Sequence, residues 1–265
     1  MGQQHFTPRD IAHHGKGTRA YWAVTPLRKA VVFVHGFGGD PIDTWEDFHS
    51  LLRSHSSSSG VDLIYYGYDA LYTRSRISAV DLKNFLVSLL EQPATLNLPG
   101  RPQSFAFDSV TIVAHSLGSI VSRQALLEAR SENRTWLGKI QLVLFAPAHM
   151  GADVIRLASE AIFGLGPLGS IAAAVTKGYW QVLQDLEPNS QTLTLLQSEC
   201  AQAIAAGVQC LVARKVILGK KDKVVSPNRF CQDPSPVVVD GKGHIDVCKP
   251  DVSYPLPVVE VAGVQ

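Results

Sequence analysis

Short apolar runs alternate with longer stretches of helical periodicity along most of this chain. Residues 20–24, 30–34, 61–66, 110–113, 140–145 and 237–239 read as strands, and 210–212 with 216–218 bracket one more strand-like region. The first of these joins the second through a turn at Pro26, an antiparallel start of the kind found at a sheet edge. Residues 43–53, 77–90, 120–130 and 190–206 read as helices, and Ile77, Val80, Phe85 and Leu89 mark the packed face of the second. Residues 54–60 form a polar break, and 92–104 a proline-containing surface loop. Regular alternation of this kind predicts an α/β fold: a mostly parallel sheet with helices on both faces, carrying its site at the carboxyl ends of the strands.

One segment breaks the rhythm. Between Gly151 and Trp180 the chain inserts an uncharged run, 161–175, rich in alanine and glycine. It is shorter than the roughly 18 residues a membrane-spanning helix needs, and Gly164, Gly166, Pro167 and Gly169 interrupt it. Its position, after the strand that follows the 120–130 helix, suits an apolar lid over a site that takes an acyl chain. The same composition also serves a buried helical hairpin. The expected organisation is a single domain over 1–265, with a lid or cap insertion at 151–180 and peripheral lipid-surface contact through 161–175.

The chemistry is densest at Ala114-His115-Ser116-Leu117-Gly118, which ends a strand and opens a helix. Serine at the apex of such a turn, flanked by small residues, is a nucleophile elbow. The hydroxyl projects above the sheet edge, close to a helix N-terminus that favours negative charge. The plain alternative for Ser116 is a helix N-cap. Upstream, the 30–34 strand runs into His35-Gly36-Phe37-Gly38-Gly39, a loop whose N–H groups can face a developing oxyanion; Phe37 and Leu117 are the expected donors. Downstream, Asp222 follows the strand-like region near 216–218, and His244 stands between glycine and a proline-containing tail. Asp233, Asp240 and Asp246 lie near enough in sequence to compete with Asp222. His244 is the only histidine in the last third of the chain. The order is therefore Ser, Asp, His.

That order, the elbow and the His35–Gly39 loop resemble the α/β-hydrolase superfamily over about residues 20–244. Ala146-Pro147-Ala148-His149-Met150-Gly151, Leu186-Glu187-Pro188-Asn189-Ser190 and the segment after His244 resemble lipase-like serine esterases, a group related to GPI inositol deacylases. The resemblance implies an α/β-hydrolase fold and hydrolysis of carboxylic esters, acyl or lipid, through Ser116, His244 and Asp222 and an acyl-enzyme, with no cofactor. His35, Gly36, His115, His149 and Met150 would border the substrate; His115, beside the nucleophile, points elsewhere and packs or lines the pocket. The same three residues would also serve a thioesterase or amidase. A ligand-binding module without turnover is the reading from a different class.

Composition narrows the partners. Net charge is +1, from 24 basic and 23 acidic residues without a long basic block, which excludes nucleic acid as a partner. No histidine or cysteine spacing marks a metal site; His13-His14 lacks a third ligand. Cys200, Cys210, Cys231 and Cys248 read as free thiols, with a Cys231–Cys248 bridge open to an exported protein. Residues 1–17 carry no apolar signal region and Phe6 breaks a myristoylation motif, so the expected location is cytoplasmic. Lys220, Lys221 and Lys223 read as a solvated face or an anionic head-group contact.

Overall fold

The computed structural model describes residues 6–11, 16–54, 60–164 and 177–262. Its eight strands are β1 (Arg9–Asp10), β2 (Arg19–Tyr21), β3 (Lys29–Val34), β4 (Asp62–Tyr66), β5 (Ser109–His115), β6 (Ile140–Phe145), β7 (Ala213–Gly219) and β8 (Val237–Val239). They form one sheet in the order β1-β2-β4-β3-β5-β6-β7-β8. β1 pairs antiparallel with β2, and β2 antiparallel with β4; every pairing from β4 to β8 is parallel. β3, β4 and β5 are apolar almost throughout and buried on both faces, as parallel strands covered by helices must be.

The helices are α1 (Phe48–Ser54), α2 (Ser75–Glu91), α3 (Leu117–Ser131), α4 (Val154–Gly164), α5 (Lys177–Leu186), α6 (Gln191–Ala205) and α7 (Leu256–Ala262). α2 packs on α3 and α3 on α6, while α1 packs on α7. Among the described residues, no helix is long and apolar enough to cross a membrane.

Several local expectations give way to packing. The turn at Pro26 makes no hairpin, because β4 separates β2 from β3 and gives β3 parallel partners on both sides. The expected 43–53 helix divides into a 3-10 turn, Asp43–Trp45, and α1, with Glu46 at φ 44° between them. The break lets Trp45 and Phe48 both approach Phe33, each with ring centroids 5.1 Å away. On α2 the core face is Ala79, Leu82, Phe85, Leu86 and Leu89, whereas Ile77 and Val80 point outward. The proline-containing tail holds α7, with Pro257 in the first turn, where a missing N–H costs nothing.

α4 lies within the expected 151–180 insertion and α5 overlaps its end, and the two pack on one another. Residues 165–176, most of the apolar run assigned to a lid, lie outside the described residues. All four cysteines are free, and the Cys248 thiol lies beside the Ile245 carbonyl rather than bridging to Cys231.

Two buried ion pairs tie loops to this frame. Arg101 meets Asp62, which also accepts from the Ala23 N–H; Arg123 of α3 meets Asp233 at 2.6 Å.

Candidate active site

β5 delivers Ser116 at φ 51° and ψ −120°, a conformation that L residues rarely adopt. Main-chain contacts of Ser116 hold the turn. The Ser116 N–H donates to Phe145 O (3.1 Å), and Ser116 O accepts from the Ser119 hydroxyl (2.6 Å) and the Ala148 N–H (3.3 Å). The tightness of the turn also explains Gly118: a Cβ there would lie 2.3 Å from Val34 O and 2.5 Å from His35 O. The Ser116 side chain makes no capping bond to α3, so the N-cap reading does not describe it.

Its Oγ instead lies 3.0 Å from His244 Nε2, and His244 Nδ1 lies 2.9 Å from Asp222 Oδ2. Ser116 and His244 are almost wholly buried. The two turns that carry Asp222 and His244 are stitched together by main-chain bonds, Lys220 N–H to Val239 O and Lys221 N–H to Lys242 O, both 2.8 Å. Gly219 permits this approach, since a Cβ there would meet Lys242 O at 2.4 Å.

The competing carboxylates have other work. Asp233 is committed to Arg123 and to the Ala213 N–H, Asp240 to Lys220, and Asp246 accepts from the Gly243 N–H. Burial acts to raise the Asp222 carboxyl. The hydrogen bond and charge of His244, with the N–H groups of Val224 and Val225 at 2.7 and 3.2 Å, outweigh it and hold the group below the usual aspartate value.

Leu117 is the first residue of α3, so its N–H has no acceptor within the helix. Phe37 sits, nearly buried, in the loop after β3. Gly36 passes directly over the elbow. His35 is buried and stacked on Tyr68 with centroids 4.4 Å apart, and the Tyr68 hydroxyl donates to the His35 carbonyl at 2.8 Å. Burial pushes its pKa down to about 4, against the upward pull of the Gly36 carbonyl.

His115 is also buried. Its Nε2 lies 2.9 Å from His244 O, and burial, followed by the neighbouring His244, pushes its pKa down to about 3. His149 packs against Phe230 at 4.3 Å; burial and then the Arg123 charge depress it well below the usual value. Met150 follows, partly buried.

Three supports were not legible from residue types: the His115 contact to the main chain of His244, the Tyr68 brace on His35, and the Asp246 bond to Gly243. Only the last left a trace, a carboxylate three residues after a turn glycine.

A hydroxyl bonded to an imidazole that is itself bonded to a buried carboxylate can pass its proton to the imidazole as the oxygen attacks an acyl carbon. Residues 31–260 match the sequence profile of the alpha/beta hydrolase family. No curated protein matches the sequence. Solved structures do: the mature form of a Bacillus licheniformis lipase superposes with TM-score 0.56 at 13% identity over 97% of each chain. A soluble variant of Saccharomyces cerevisiae monoglyceride lipase gives 0.54 at 14% identity, over 99% of this chain and 96% of the other. A Bacillus subtilis carboxylesterase gives 0.54 at 14% identity, over 98% and 92%. At these identities the likeness is one of fold.

Proposed function

Because the chain belongs to the α/β-hydrolase family, we propose that it is a serine hydrolase of carboxylic esters, of lipase or esterase type, with acyl or lipid esters as substrates. The observation that carries this reading is the continuous line from Ser116 Oγ to His244 Nε2, and from His244 Nδ1 to Asp222, at 3.0 and 2.9 Å. The lipases and carboxylesterase that share the fold support it.

In this mechanism Ser116 Oγ bonds to the ester carbonyl carbon while its proton moves to His244 Nε2. Asp222 holds the imidazole in orientation and stabilises its charged form. The carbonyl oxygen, now an oxyanion, takes hydrogen bonds from the Phe37 and Leu117 N–H groups, each worth about 2.7–4 kcal/mol in comparable sites. Collapse breaks the ester C–O bond, and the alcohol leaves with the proton from His244. Water, deprotonated by His244, then attacks the acyl-enzyme, releasing the acid and restoring Ser116. His35, Gly36, His149 and Met150 line the approach to the acyl group in this reading.

The test is a fluorophosphonate probe, with the labelled residue mapped by mass spectrometry, beside a p-nitrophenyl ester chain-length series and an acyl thioester. Labelling confined to Ser116, lost together with ester turnover in Ser116→Ala, is the expected result. A folded protein that resists the probe and cleaves none of these substrates is a binding module instead.

A further inference from the structure

His115 occupies the last position of β5, directly before the elbow, and its buried ring faces the segment that carries His244. The two rings are 5.0 Å apart between centroids and inclined at 46°, so they do not stack; the close contact is His115 Nε2 to His244 O at 2.9 Å. A carbonyl oxygen only accepts, so Nε2 carries the proton and His115 is an Nε2–H donor. On its other side the ring is wedged by the loop after β3, where a Cβ on Gly36 would come within 2.9 Å of His115 Nδ1.

We propose that His115 is a positioning residue: its Nε2–H holds the main chain of His244 and so fixes the distance from His244 Nε2 to Ser116 Oγ. The role rests on the serine-hydrolase reading above. Asp222 sets the rotation of the imidazole through Nδ1, but leaves the backbone beneath it free to recede. Two other ties on this turn, Lys221 N–H to Lys242 O and Gly243 N–H to Asp246, come from the β7 side or from within the turn itself. The His115 bond comes from the nucleophile side. Because His115 and Ser116 are consecutive, any shift of the elbow carries the base with it. Burial keeps the ring uncharged, with a pKa of about 3, so the proton that His244 gains in turnover meets no second cation at 5.0 Å.

Side-chain amides separate this role from packing. Glutamine places an amide nitrogen where histidine has Nε2, whereas asparagine reaches only to the Nδ1 position. In His115→Asn and His115→Leu, the fluorophosphonate labelling rate and kcat should fall by about 10- to 100-fold, the loss expected for a base displaced by about an ångström, with KM nearly unchanged. His115→Gln should recover most of the loss. Equal losses in Gln and Asn, or no loss in Asn and Leu, would overturn the proposal.

NMR of wild-type protein labelled with ¹⁵N-histidine supplies a readout independent of turnover and of the folding of any variant. The proposal expects the Nε2–H tautomer at His115, and an Nδ1–H tautomer would overturn it. If wild type neither labels at Ser116 nor cleaves esters, the hydrolase reading falls. The tautomer and the His244 imidazole proton resonance, sharp in Gln and exchange-broadened in Asn, still decide whether His115 holds His244.

Discussion

Gly36 lies over Ser116 so closely that a methyl group on it would sit 2.9 Å from Ser116 Cβ and equally close to His115 Nδ1. The loop after β3 and the elbow thus share one contact surface. Gly36→Ala should push them apart by a few tenths of an ångström, enough to lower kcat by up to about 100-fold while the melting temperature falls little. A steady-state assay beside a thermal melt checks this; unchanged kcat would mean that the loop yields without disturbing the elbow.

The backbone of Ser116, at φ 51°, lies in a region that costs a residue with a Cβ. Glycine adopts that conformation freely, whereas alanine does not. Ser116→Gly should therefore be the more stable of the two inactive variants, by about 1–3 kcal/mol less the extra entropy of an unfolded glycine. Chemical denaturation of both variants decides it, and an Ala variant as stable as Gly would place the strain elsewhere.

Asp222 and Asp233 should fail in opposite ways. Asp222→Asn leaves the packing in place but lets the His244 ring turn to the wrong tautomer, and should cost about 10⁴ in kcat with a near-normal melt. Asp233→Ala strands the Arg123 guanidinium, which is buried over Phe230 with its centre 4.3 Å from the ring centroid, and leaves the Ala213 N–H without that acceptor. It should cost about 3–5 kcal/mol of stability. Reversal of the two phenotypes would reassign the acid of the site.

The same contrast separates what is local in the sequence from what is not. The strands, the elbow at Ser116 and the chain order Ser, Asp, His are local, because apolar run length and small residues at a turn declare themselves. Asp222 is one of four nearby carboxylates, and it is set apart by the stitching of its turn to the Lys242 turn, which brings its Oδ2 to 2.9 Å from His244 Nδ1 while the others are committed elsewhere. The same holds for the division of the 43–53 helix: Trp45 and Phe48 had to converge on Phe33, a residue brought near by the sheet. His115 looked like a pocket or packing residue because its partner is a main-chain oxygen 129 positions away, which no side-chain pattern reports.

The buried imidazoles set the acid limit of stability. His35 and His115 titrate at about 4 and about 3 in the folded protein, and His149 is depressed too, against an ordinary value near 6.5. Below that value the unfolded chain binds protons the folded one refuses. Their contribution is therefore complete above about pH 6.5 and lost as pH falls towards the folded values, at about 1.4 kcal/mol per pH unit for each ring. Asp62, which burial raises to about 6 despite Arg101, acts in the opposite direction between 3.8 and about 6 and offsets one of them. Urea titrations at pH 7 and pH 5 should show a net uptake of protons on unfolding near pH 5, and so a lower stability there; a flat profile would mean that the rings are hydrated.

Ser116 and His244 meet across a sequence separation of 128, and between them the chain adds β6, β7 and β8 to the growing sheet. Contacts of such range close late in folding, after the intervening loop entropy has been overcome. On the proposed serine-hydrolase reading, a nascent chain therefore carries Ser116 before the strands that bring His244 to it have been made, and the hydroxyl meets its base only in the completed sheet. On the same reading, a serine labelled by the probe in a mixed population would count those molecules whose final strand has docked.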